Sequence, residues 1–242
     1  RAARTDQLLR VVIACWADSI DEAIGAGMRT GHPIDEAGWL RGGPLKIITD
    51  GSFTAQTAWC THPYGDPDSG LDPHGSPSIS REKLATLMSR GELNGLQLAV
   101  HAIGDRAIAM TLDCFAETGA SGSIEHAMVP SAADIARMAE LGLHASVQPV
   151  HMLADRELIE DSWPTGAGRS FPLRSMLEAG VPLAFGTDAP VTPIDPWLAI
   201  RTAVLRAAPG QEPWNASESL SIAQALRSST GRIAALVPGG HA

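Results

Sequence analysis

A chain of 242 residues, 44% of them hydrophobic, is long enough to bury a large core, and an α/β barrel commonly runs to this length as a single domain. A net charge of −9, with no cluster of Lys or Arg to neutralise a run of phosphates, argues against nucleic acid and anionic membranes as partners. The cysteines, Cys15, Cys60 and Cys114, are well separated and lack CxxC spacing, which argues against a disulfide framework or a thiolate zinc site and makes a reducing cytoplasm the expected location.

No stretch approaches the roughly 18 apolar residues that span a bilayer, and the opening Arg-Ala-Ala-Arg-Thr-Asp lacks the apolar core of a signal peptide. Residue 1 is not Met and an apolar run follows almost at once, so the chain is expected to begin inside a fold. In chain order, six apolar runs have strand length: Leu8–Ala14, Leu45–Thr49, Leu96–His101, Ser123–His126, His144–Pro149 and Pro182–Thr187. Runs that are apolar on both faces suit parallel strands covered by helices.

Amphipathic helices fit between most of these runs, as at Asp105–Thr118 and Ala132–Leu141, whose apolar residues recur at i, i+3, i+4. Ser80 and Ser131 read as N-caps, and Gly142 as the glycine that closes a helix. Repeated βα order predicts a parallel sheet with right-handed crossovers. Residues 1–242 read as one barrel domain, and residues 50–79, rich in Gly, Pro, Asp and Ser, as a long loop over the strand ends.

Four polar residues lie in or at the end of these apolar runs: Lys46, His101, His126 and Asp188. In a parallel barrel the carboxyl ends of the strands gather on one face, so residues distant in sequence can converge there. Two imidazoles and a carboxylate suit a divalent cation such as Zn²⁺, one or two ions, which supplies activated water near neutral pH; hydrolysis is the expected chemistry. Each residue alone has an ordinary reading too. A histidine in an apolar run is more often a hydrogen-bonded core residue, Lys46 can snorkel from a strand end, and Asp188 before Ala-Pro can cap a turn.

The segments Lys-Ile-Ile-Thr-Asp-Gly-Ser, His-Ala-Ile-Gly-Asp-Arg-Ala, Ile-Glu-His-Ala, Ser-Val-Gln-Pro and Gly-Thr-Asp-Ala-Pro-Val occur here in the order that resembles the amidohydrolase superfamily. The branch they resemble is that of N-substituted formamide deformylases and YtcJ-like metal-dependent hydrolases, over about residues 8–236. The resemblance implies a distorted (β/α)₈ TIM-type barrel with a small β-sandwich, and hydrolysis of a non-peptide C–N bond in an amide, formamide, cyclic amide or amidine. It also implies that Lys46, as a carboxylated lysine, His101, His126 and Asp188 are metal ligands. Asp188 would shuttle the proton from the attacking water to the departing nitrogen.

One family feature has no counterpart: the His-x-His pair of the first strand, since no two histidines here are spaced i, i+2. By the resemblance, the chain holds strands 3–8 of the barrel, without the first two βα units and the sandwich. Such an open sheet exposes two edges and is expected to be covered by another chain, by rearrangement or by further sequence, a homo-oligomer being one such cover. A non-catalytic barrel remnant, unable to hold a full metal centre, is the competing reading. A doubly wound nucleotide-binding sheet finds neither GxGxxG nor GxxxxGKS/T in support.

Gln148 and His151, in Val-Gln-Pro-Val-His, and Arg169 are candidate contacts to a small-molecule substrate, with a structural hydrogen bond or an exposed salt bridge as their ordinary roles. Trp59, Trp163 and Trp197 are candidates to line a pocket for an aromatic group, against ordinary packing.

Overall fold

A computed structural model describes residues 9–64, 70, 72–163 and 167–230. Six parallel strands pair in sequential order: β1 (Val11–Trp16), β2 (Leu40–Ile48), β3 (Leu98–Ala102), β4 (Gly122–His126), β5 (His144–Val147) and β6 (Leu183–Phe185). The helices are α1 (Ile20–Gly25), α2 (Arg81–Leu93), α3 (Asp105–Thr118), α4 (Ala132–Glu140), α5 (His151–Ser162), α6 (Leu173–Glu178), α7 (Pro196–Leu205) and α8 (Ile222–Thr230). The sheet curls into a parallel half-barrel.

Strand alternation decides what faces what. Leu45 and Ile47 of β2, Leu98 and Val100 of β3, and Ile124 of β4 are buried in the helix-facing core with Leu84, Met88, Ile108, Leu112 and Phe115. Lys46 and Glu125, between them in register, take the other side of the sheet and are less buried. Local signals hold the helices in place. Ser131 and Asp134 form a reciprocal capping box on α4. Asp195 accepts from the Trp197 and Leu198 amides with Pro196 in the first turn of α7. No helix among the described residues is long and apolar enough to cross a membrane.

The largest boundary differences from expectation are in the first two strands; the other four shift by at most two residues at either end. Leu8, placed in the first strand, lies outside the described residues; that strand runs on to Trp16. β2 starts at Leu40 and passes through Arg41-Gly42-Gly43-Pro44, a segment whose composition reads as a turn. The glycines permit close backbone approach: a Cβ on Gly42 would stand 2.4 Å from the Arg29 carbonyl oxygen, and one on Gly43 2.8 Å from that of Ile13. Pro44 falls where the β1–β2 register shifts, so its missing N–H interrupts no regular ladder.

A second apolar cluster sits at the carboxyl ends of the strands. Phe53, Ala58, Cys60 and Tyr64, from the segment after β2, pack with Ile103, Met128, Val129, Met152, Ile159 and Trp163. β1, by contrast, is exposed along most of its length, with Val12 at 63% and Trp16 at 59%.

Candidate active site

The carboxyl ends of β2 to β6 and the start of α5 surround a cavity of about 440 Å³. Lys46, His101, His126, His151, Asp155 and Asp188 are its ionisable lining residues. Apolar side chains, among them Trp16, Ile48, Phe53, Ile103 and Met128, make up most of the remaining wall.

Asp50, two residues after β2, ties the segments around the cavity together. Its buried carboxylate accepts from the backbone amides of Trp59 (2.9 Å), Ile103 (3.1 Å) and Gly104 (2.8 Å), tying the loop after β2 to the β3–α3 turn. The tie demands a glycine at 104, because a Cβ there would lie 2.1 Å from the Trp59 carbonyl oxygen. Asp50 Oδ1 also stands 3.4 Å from His101 Nε2, which is 3.1 Å from the Gly51 carbonyl oxygen. A carbonyl can only accept, so Nε2 is the donor in this contact.

His126 ends β4 with φ +72°, and Ala127 follows at +43°. Left-handed backbone at non-glycine residues costs about 1–3 kcal/mol each, and here it accompanies a histidine turned toward the cavity from a strand end. The His126 ring lies 4.5 Å from that of His101 and stacks on that of His151 at 5.7 Å. Burial, then the neighbouring His101, Lys46 and His151, push its pKa down to about 2, so the ring is neutral.

His151 opens α5, and its Nε2 is 3.7 Å from Asp188 Oδ2. Burial lowers its pKa against the opposing pull of Asp188. Asp188, with φ +52°, projects a half-exposed carboxylate from the turn after β6. Burial also lowers the Lys46 ammonium, opposed by Glu125 and Asp188. On the α5 wall, burial raises the Asp155 carboxyl to about 6.

His126, His151 and Asp188 each offer a ligand atom, and these atoms lie within 4.8 Å of one another. His126 Nδ1 and His151 Nε2 are buried without a hydrogen-bond partner. A divalent cation is the ligand that two neutral imidazoles and a carboxylate at this separation fit.

Of the residues singled out in the sequence, Lys46, His101, His126 and Asp188 all line the cavity, and His151 joins them as part of the tight cluster. Gln148 is buried and is not among the cavity-lining residues; its Nε2 is 3.4 Å from the Ser146 carbonyl oxygen and its side chain interacts with His126. Arg169 is exposed and lies over the Trp163 ring at 5.5 Å, away from the cavity lining. Trp59 is half-buried under Arg106, Trp163 is core and Trp197 is 70% exposed; Trp16 is the tryptophan that lines the cavity.

Asp50 and Asp155 were missed in the sequence. Asp50 stands inside a quoted motif, but its partners are backbone amides, which leave no side-chain signature. Asp155 falls one turn after His151, the one periodic hint that the two share a face.

The structure is a curled parallel half-barrel with histidines and a carboxylate gathered at its strand ends, a donor set that fits a divalent cation. The amidohydrolase family model matches residues 2–237, and the chain belongs to the amidohydrolase family. It is 33% identical over 228 residues to Protein LONG AFTER FAR-RED 3 of Arabidopsis thaliana, covering 90% of this chain and 38% of that one. It is 30% identical to the putative amidohydrolase YtcJ of Bacillus subtilis, with coverage of 76% and 36%. It is 28% identical to the N-substituted formamide deformylase of Arthrobacter pascens, with coverage of 78% and 35%. The chain thus spans little more than a third of the length of these relatives.

Among solved structures it resembles an uncharacterized metal-dependent hydrolase from Pyrococcus horikoshii. The TM-score is 0.79 and the identity 30%, over 89% of this chain and 43% of that one.

Proposed function

We propose that this chain carries most of the active site of a metal-dependent hydrolase acting on a non-peptide C–N bond. The observation that carries the reading is the cluster of His126, His151 and Asp188, in which two buried imidazole nitrogens make no hydrogen bond. Membership of the amidohydrolase family and the name of the formamide deformylase relative support the bond type.

When bound, a divalent ion, Zn²⁺ by donor chemistry, supplies activated water at neutral pH and polarises a carbonyl. His126 and His151 would hold it as neutral imidazoles, with Asp188 as the anionic donor. His101, whose Nε2 contacts the Gly51 carbonyl, would be the next ligand through Nδ1, and Lys46, as a carbamate, would help to hold a second ion. Asp188, a half-exposed carboxylate, would also take a proton from the attacking water and return it to the departing nitrogen. In this reading the six strands correspond to strands 3–8 of a (β/α)₈ barrel, and the substrate is a small amide, formamide, cyclic amide or amidine.

A panel of N-substituted formamides and cyclic amides, incubated with zinc-supplemented protein, tests the reading by release of amine. Turnover that is lost in Asp188→Asn supports it. Absence of turnover across the panel, with metal demonstrably bound, overturns the hydrolase assignment for this chain.

A further inference from the structure

The cavity contains one carboxyl that the proposed chemistry does not use. Asp155 lies on α5 one helical turn after His151, a separation of about 6 Å between such positions. It is 6% exposed and lines the same cavity, yet it makes no hydrogen bond or ion pair with another described residue. Its carboxyl oxygens are not among the fully buried unsatisfied atoms, so the group keeps an opening to the cavity it lines and has no protein partner there.

The lining leaves few roles for it. Asp188, the other acidic residue of the lining, already faces His151 at 3.7 Å, and Lys46, on β2, makes no ion pair with Asp155. The rest of the cavity lining is mostly apolar, with Phe53, Ile103, Met128 and Ala154 among its residues. A carboxylate in an apolar wall selects a cation whose organic body the wall can hold.

We infer that Asp155 recognises a cationic nitrogen, an ammonium or amidinium, carried by the substrate about one helical turn from the reacting carbonyl. The inference deepens the hydrolase reading and rests on it for the word substrate, but its test does not pass through metal or turnover. A failure here therefore leaves the metal centre to be judged on its own measurement.

Benzamidine and benzamide have nearly the same shape and differ in charge. Their binding to chelator-dialysed protein, by isothermal titration well above pH 6, reads the recognition directly. The account expects benzamidine to bind at millimolar concentration and benzamide to bind at least about tenfold more weakly. Asp155→Asn and Asp155→Ser should each weaken benzamidine about tenfold or more while leaving benzamide unchanged, which also reports an intact cavity. Asp155→Glu should retain the preference for the cation. Equal binding of the two probes, benzamidine binding unaffected in both Asp155 variants, loss confined to Asp188→Asn, or no benzamidine binding by the parent protein would each overturn the inference.

Discussion

Asp50 meets His101, a lining residue of the cavity: Asp50 Oδ1 lies 3.4 Å from His101 Nε2 while the same carboxylate accepts from three backbone amides. One buried side chain thus fixes both a loop and a histidine ring. Asp50→Ala strands those amides without an acceptor and should cost about 3 kcal/mol or more in urea unfolding. Asp50→Asn keeps one carbonyl oxygen but turns an N–H₂ toward a donor, so it should also destabilise, by less than the alanine. A loss under about 1 kcal/mol for Asp50→Ala would contradict this role.

Gly104 tests the same junction from the other side. Gly104→Ala places a methyl 2.1 Å from the Trp59 carbonyl oxygen, and backbone cannot swing away as a flexible side chain would. Gly119, at φ +65° with open space around it, is the control, since its alanine meets only the left-handed backbone cost of about 1 kcal/mol. Thermal melts should show Gly104→Ala clearly the less stable; equal melting would mean that the loop is not clamped there.

Arg206 is 1% exposed and donates to three backbone carbonyls, those of Trp214 (2.6 Å), Phe171 (3.0 Å) and Ser170 (3.3 Å). Burial lowers its pKa to about 10, which leaves it charged at neutral pH. Arg206→Met removes all three bonds and should destabilise by about 3 kcal/mol. Arg206→Lys, which lacks the planar fork, should recover only part of that. A lysine variant as stable as the parent would show that charge alone, rather than the fork, is required.

Burial raises the pKa of all three thiols, that of Cys60 to about 12. The ordinary value is 9.0, so above pH 9 the unfolded chain releases a proton that folded Cys60 keeps. Stability contributed by this thiol is therefore intact below pH 9 and is lost as the pH climbs toward 12. Cys60→Ala should flatten the alkaline fall in stability, and the native protein should react with a thiol reagent at neutral pH only as fast as it opens. Rapid titration of the thiols in folded protein would contradict their burial.

Helix α3 starts and ends where its periodicity places it, and α4 ends one residue before its predicted Leu141, because amphipathic spacing and capping are local properties. The parallel strands were legible as apolar runs for the same reason. The first half of β2 was not, since Gly42-Gly43-Pro44 reads as a turn until β1 passes close enough to require missing side chains. Convergence of Lys46, His101, His126 and Asp188 on one cavity followed from barrel topology. The share of His151 in the cluster did not, because it depends on how the turn after β5 launches α5. Asp50 and Arg206 escaped notice because both bind backbone groups distant in sequence.

Metal content is the most direct test of the central claim. The protein, dialysed against Zn²⁺ and then against metal-free buffer, is compared with His126→Ala/His151→Ala by plasma mass spectrometry, with thermal melts confirming that both are folded. The account predicts about one equivalent of retained metal in the parent and none above background in the folded double variant. Parent protein without metal, or a double variant that retains the full equivalent, would contradict it.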